Sequence, residues 1–228
     1  MGIKKKVMAV VLIAAMTMSS ALTVSAASSP TKGNTSYSAK TNLDKNKKDH
    51  VNKTVTSKLG ADKKLPTTAT VVSVKSKASG KKITSVVLKT ARNQNNKKVA
   101  ITKVGTGKKG VFNSKSGRRI TSVRIASSKK VTVSKIAFKG SKVKKLTLQG
   151  KTVISKNAFN GTKVKNLKIT ISGSKKKASA FTFKKGAFKG LNKKAKVIVK
   201  KSTMTKKEFK KLQKKLKAAG FKGTIVRK

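Results

Sequence analysis

Cysteine and tryptophan are absent from the 228 residues, tyrosine and histidine occur once each, and only four residues are acidic. Each absence closes off a class of function. Without cysteine there is no disulfide framework and no thiolate nucleophile, so an exported chain of this composition has to stand on an apolar core. General acid–base catalysis ordinarily draws on His or on paired carboxylates. Here the lone His50 sits beside Asp49 in a polar stretch, and Asp44, Asp49, Asp62 and Glu208 supply no close pair in the body of the chain. His50 has no Cys or second His to join it in holding a metal and reads as a solvated residue. Ser and Lys are so frequent that their adjacency says nothing about a Ser–Lys catalytic pair. With one Tyr and no Trp, stacking platforms for single-stranded bases are scarce. The expectation is a noncatalytic protein with no cofactor and no metal.

What is present in excess is lysine. The chain has 60 Lys and Arg against 4 Asp and Glu, a formal net charge of +56. Such a charge repels itself and attracts any polyanion. The only arginines are Arg92, Arg118, Arg119, Arg124 and Arg227. Lysine is a mobile point charge, whereas arginine makes planar forks of fixed geometry. The composition therefore favours diffuse attraction over precise recognition.

The N-terminus predicts export. Lys4, Lys5 and Lys6 precede an apolar stretch from Val7 to Met18, and the small-residue segment ends Val24-Ser25-Ala26. This is the three-part pattern of a signal peptide over 1–26, cleaved after Ala26. The apolar run is shorter than the ~20 residues of a bilayer span, and no second run follows. Loss of the three signal lysines lowers the charge from +56 to +53. Residues 27–68 are rich in Ser, Thr, Asn and Lys, and the expectation there is a disordered linker.

From about Thr70 the chain repeats itself. A pattern apolar-x-x-apolar-x-apolar reads Ile83, Val86, Leu88; Ile120, Val123, Ile125; Val143, Leu146, Leu148; and Val164, Leu167, Ile169, with Val197 and Val199 in a fifth copy. Its last positions alternate in period two, which suits a strand with one buried face. A second pattern precedes the later copies: Ala137-Phe138-Lys139-Gly140, Ala158-Phe159-Asn160-Gly161 and Ala187-Phe188-Lys189-Gly190. Val133, Ile154 and Phe183 stand five residues before each Phe, and Phe112 opens an earlier, looser turn. Two stretches, Asn93–Lys98 and Thr106–Val111, read as polar insertions.

The strand pattern, the Ala-Phe-x-Gly element and their linked spacing resemble the BspA-type leucine-rich repeats of secreted and surface bacterial proteins. The resemblance covers about residues 70 to 226 and is strongest from Val131 to Lys200. It implies a mainly β, leucine-rich-repeat-like solenoid over 69–202 and, by the family's adhesive roles, a binding function. One repeat cannot bury its Phe and strand face alone, whereas stacked repeats close a continuous core. Residues 203–228 supply a cap. Thr205-Lys206-Lys207-Glu208 is a capping box, Phe209, Leu212, Leu216 and Ala219 share one helical face, Gly220 suits C′, and Phe221–Val226 adds a closing strand. That apolar stripe reads as core; the competing reading is an amphipathic membrane helix.

Two nucleotide-binding motifs are imitated without their context. Gly105-Thr106-Gly107-Lys108-Lys109-Gly110 follows a strand, but the broken segment after it cannot form the required helix and no acidic residue lies about twenty positions on. Gly150-Lys151-Thr152 lacks the first glycine of a phosphate-binding loop, since Lys145 stands there. What remains is charge on a repetitive scaffold. Lys89, Arg124, Lys145, Lys168, Lys196 and Lys200 are expected to point outward in a basic ladder on one face, with strands ~4.8 Å apart. The expected partners are anionic cell-wall polymers or host glycans, with nonspecific nucleic acid possible. The protein is expected to be held electrostatically at the bacterial cell surface. The alternative is a cationic nucleic-acid-binding or membrane-active protein.

Overall fold

The computed structural model describes residues 34–42, 50–58, 67–76, 84–92 and 98–228. The export signal over 1–26, the core position Ile83 and residues 93–97 of the first polar insertion lie outside them. Among the described residues the chain is mainly β, with one α-helix near its C-terminal end. In chain order the strands are β1 (Asn34–Asn42), β2 (His50–Lys58), β3 (Thr68–Ser76), β4 (Ser85–Leu88), β5 (Thr90–Arg92), β6 (Lys98–Val104) and β7 (Ser122–Ile125). They continue with β8 (Val131–Val133), β9 (Lys145–Leu148), β10 (Thr152–Ile154), β11 (Lys168–Ile171), β12 (Phe181–Phe183) and β13 (Lys196–Val199). Helix α1 (Lys206–Ala218) and β14 (Thr224–Arg227) follow.

Two sheets result. Sheet A runs β1-β2-β3-β6-β8-β10-β12, with β5 also paired to β6, and sheet B runs β14-β13-β11-β9-β7-β4. From β6 to β13 consecutive strands alternate between the sheets. Neighbours within each sheet therefore run parallel, and each pass of the chain lays one strand on each. The period-two pattern explains why these short segments are strands. Lys-Leu-Thr-Leu, Lys-Ile-Thr-Ile and Lys-Val-Ile-Val share one burial pattern, exposed-buried-intermediate-buried. Leu146, Leu148, Ile169, Ile171 and Val197 of sheet B line the same interior as Ile154 and Phe183 of sheet A. The two sheets thus turn their apolar sides to each other and their outer faces away.

The register corrects one repeat. The sequence pattern aligns Val164, Leu167 and Ile169 with Val143, Leu146 and Leu148. In the structure Leu146 pairs with Ile169 and Leu148 with Ile171, a shift of two residues. A one-residue slip turns a strand inside out, but a two-residue slip preserves which side chains face inward. Alternation alone could not separate the two registers.

The connections from sheet A to sheet B build a column of rings. Phe112, Phe138, Phe159 and Phe188 are buried. Successive ring centroids are 5.5, 5.0 and 6.0 Å apart, and Phe221 closes the column edge-on at 5.1 Å from Phe188. Each such pair contributes about 0.5–1.5 kcal/mol beyond its area burial. The backbone beside the rings forms its own ladder, Ile136 N–H to the Asn157 carbonyl, Asn157 to Gly186, and Gly186 to Ala219. Ile136, Asn157 and Gly186 are left-handed, with φ of 51°, 60° and 72°. Asn and Gly adopt this conformation readily; a β-branched Ile does so only under constraint. Gly190, at φ +101°, closes the third turn where a side chain would meet the Phe159 carbonyl.

Helix α1 caps the stack. Phe209, Leu212 and Leu216 are buried, so the apolar stripe of the helix faces the core. Lys215 Nζ donates to the carbonyls of Ala178 (3.1 Å) and Phe181 (3.3 Å), covering the end of sheet A at β12. At the C-terminal end of α1 the Gly220 N–H bonds to Lys217 O and the Phe221 N–H to Leu216 O, a Schellman motif with Gly220 at φ +87°. The N-terminal capping box is only half formed. Thr205 Oγ1 accepts from the Glu208 N–H at 3.3 Å. The Glu208 carboxylate does not return to the Thr205 N–H; it accepts from the Ala178 N–H at 2.6 Å and pairs with Lys211 at 3.1 Å. An orphan amide at the start of a 3-10 turn, Ala178–Ala180, is the better partner for the charge.

Within the segment 27–68, expected as a disordered linker, the described residues 34–42 and 50–58 are extended. These residues are β1 and β2, an antiparallel pair extended onto β3. The linker reading rested on the lack of large apolar side chains. Strand pairing here proceeds through backbone hydrogen bonds, which Ser- and Thr-rich segments make as well as any. On either side of residues 93–97, β5 and β6 pair antiparallel, with Thr90 opposite Ala100 and Arg92 opposite Lys98.

Candidate polyanion-binding surface

The six basic residues expected to form one ladder are all exposed, but they fall in three rows. Lys145, Lys168 and Lys196 stand in direct register on β9, β11 and β13. The row continues as Ser122 on one side and Thr224 on the other. Arg124 lies in the next row along the strands, opposite Val87 and Thr147. Lys89 and Lys200 follow the ends of β4 and β13, with β7, β9 and β11 between those two strands. The ladder is therefore a contiguous triplet with three outlying charges. The two-residue register shift is what brings Lys168 beside Lys145.

Neighbouring strands are ~4.8 Å apart, so the triplet repeats its charge at that pitch. Like charges directly opposite one another in a sheet are destabilising. At 4 Å the repulsion is about 1 kcal/mol in bulk water and more where solvent is displaced. A ligand that interleaves negative charge relieves it. Among the described residues Glu208 is the only acid, and the Ala178 amide and Lys211 hold it at the cap. No carboxylate on the described strands competes for the triplet. Toward the C-terminal edge, Lys168, Lys196 and Lys228 border a groove of about 350 Å³ over Ile198 and Val226. Lysine stems pack readily along such aliphatic surface while the charged ends stay in water.

A second basic row escaped the sequence reading. Lys135, Lys156 and Lys185 are exposed and occupy one position in successive passes beside the backbone ladder of Ile136, Asn157 and Gly186. The legible signal was a lysine three residues before each ring, at Phe138, Phe159 and Phe188.

The glycine-rich segment 105–110 is placed against dinucleotide binding. It is followed by a turn at Val111–Phe112 and then a 3-10 turn, Gly117–Arg119, rather than a helix. The Val111 N–H bonds to the Ala137 carbonyl, and a side chain at Gly110 would run into the Lys139 carbonyl. Gly105 and Gly110 let the loop lie against Ala137 and Lys139 of the next pass. Gly150 sits in the connection between β9 and β10, with no helix after it. Among the described residues no three or more His, Cys, Asp or Glu side chains converge to hold a metal. Nor is any helix there long and apolar enough to cross a membrane.

No known protein family, characterised protein or solved structure matches this chain.

Proposed function

We propose that this chain is an exported, noncatalytic, surface-associated protein whose two sheets form a short solenoid of the bacterial leucine-rich-repeat kind, and whose outer face binds linear polyanions. The observation that carries the reading is the register of Lys145, Lys168 and Lys196 on adjacent parallel strands. A side-by-side row of ammonium groups suits a polymer lying across the strands, along the direction in which the passes stack. Lysine provides attraction without a fixed fork, so discrimination among such polymers is poor. Anionic wall polymers of the producing cell are the nearest ligands, and host sulfated glycans the next. Retention at the cell surface is electrostatic.

A salt titration tests the reading. Counterion release makes affinity fall log-linearly with salt; on duplex DNA the slope is about −0.9 per neutralised phosphate. Replacing Lys145, Lys168 and Lys196 together by Gln is expected to flatten the slope by roughly 2–3 on DNA, with the same trend on teichoic acid or heparin and an unchanged fold. An unchanged slope removes the triplet from the binding surface. Strong preference for one nucleic-acid sequence or strand form would favour the nucleic-acid alternative. Failure of high salt to release the protein from cells would overturn electrostatic retention.

A further inference from the structure

Sheet A carries a concavity that the triplet on sheet B does not explain. A groove of about 470 Å³ runs along its outer face over three passes, lined by lysines, hydroxyl side chains, Gly107 and Asn157. Lys103 on β6 is in register with Thr132 on β8. Lys135 and Lys156, which follow β8 and β10, also line it, and all three lysines are exposed. Ser134, at the base, donates its hydroxyl to the Gly105 carbonyl at 2.6 Å, which ties the loop bearing Thr106 to β8. The groove contains no carboxylate and no large apolar side chain. Its chemistry differs from that of the sheet B groove, whose floor is Ile198 and Val226.

We infer that this groove is a second oxyanion-binding site, formed by Lys103, Lys135 and Lys156 with the hydroxyls of Thr106, Thr132 and Ser155, and that one molecule holds two polymer segments at once. Ammonium and hydroxyl groups lining one shallow groove suit a tetrahedral oxyanion such as a sulfate or phosphate ester. Charge-assisted hydrogen bonds of this kind are about twice as strong as neutral ones. Because both sheets line one interior, their outer faces point apart. A segment on sheet A and a segment on sheet B are therefore separated by the full thickness of the protein, and the molecule bridges them. This bridging rests on the polyanion reading of sheet B; the groove on sheet A stands on its own residues.

The test is calorimetric titration, at an ionic strength that suppresses diffuse binding, with a heparin hexasaccharide and with a linear oligophosphate of similar charge. The parent protein is expected to take up two equivalents of at least one of them. The two arms tell sulfate from phosphate esters. Replacing Lys103, Lys135 and Lys156 by Gln should leave one equivalent, and replacing Lys145, Lys168 and Lys196 by Gln should also leave one. A control replacing Lys206, Lys207 and Lys210 on α1 removes the same charge and should leave two. Two equivalents retained by the Lys103, Lys135 and Lys156 variant, or one lost by the control, overturns the groove. If the parent binds neither oligomer, the polyanion reading falls with it; if the parent itself saturates at one, only the second site falls. A footprint on the unsubstituted protein is independent of any folding defect. Saturating ligand should slow acetylation of Lys135 and Lys156, and acetylation at the free-protein rate would count against the site.

Discussion

The passes between Val131 and Val199 differ from the strands that precede them in how neighbours find each other. In the later region each strand meets a parallel neighbour in strict register, and a ring from each turn stacks on the ring of the next. Earlier, β1, β2 and β3 pair antiparallel, β5 folds back on β6, and the register shifts at Thr54/Val55 and at Ala69/Thr70. The first region is held by side chains that recur at fixed intervals; the second lacks that periodic stacking, although β3 and β6 bury Val71, Val74, Ile101 and Val104 in the same core. One sheet contains both kinds of order, because β3 joins the antiparallel strands to parallel β6.

The largest effect that would sharpen this contrast is expected from Phe159→Ala. Its ring has neighbours on both sides, whereas Phe112 ends the column. Urea unfolding should give a loss of about 3–5 kcal/mol for Phe159→Ala and a smaller one for Phe112→Ala. Equal losses would mean that the stack is not the unit of stability. Next comes Thr54→Pro, which removes a backbone donor from a strand paired on both sides. Hydrogen exchange should show protection lost in β1–β3 while amides from Val131 to Val199 remain protected. Loss in both regions would make them a single cooperative unit.

Smaller changes probe the turns and the cap. Ile136→Asn places in the first left-handed position the residue found in the second, and should stabilise by about 1 kcal/mol. A lower unfolding midpoint would mean that the Ile136 side chain packs better than its strain costs. Glu208 gives the smallest effect. The hydrogen bond from Ala178 and then the Lys211 side chain hold its carboxyl below the ordinary value of 4.5, against a weaker opposing effect of burial. A folded value depressed in this way contributes stability above the unfolded value, and the contribution disappears as pH falls through the folded one. Cap docking should therefore weaken as the medium is acidified below pH 4.5. Parent and Glu208→Gln should differ at neutral pH and converge in acid. A constant difference would assign the Glu208 contribution to packing.

How far each region could be read from residues follows from the same contrast. Val123, Leu146 and Val197 were recognisable as inward strand positions, Phe138, Phe159 and Phe188 as equivalent, and Phe209, Leu212 and Leu216 as one buried helix face. All of these are side-chain periodicities. β1 and β2 carry no such mark, because a backbone ladder leaves little trace in composition. The register of β11 was ambiguous by two residues for the reason given by its alternation. The reach of Glu208 to Ala178 crosses thirty positions, which no local capping pattern encodes. Of the candidate surface, Lys145, Lys168 and Lys196 were legible as outward residues. The separation of Arg124, Lys89 and Lys200 from them depends on register, and the groove beside Lys135 and Lys156 depends on how β6, β8 and β10 sit together.

The strict registration of β9, β11 and β13 turns the fold into a ruler. An additional pass inserted between Ile125 and Lys196 that carries Lys where β9, β11 and β13 do would append one graduation to the row at the same ~4.8 Å interval, leaving the interval itself untouched. If the row binds as proposed, length and pitch are independent variables: duplication of a pass can extend the footprint, but only a different backbone spacing could change which polymer period fits. On the proposed polyanion reading, gain or loss of a pass would change how long the protein stays on a polymer without changing the period it matches.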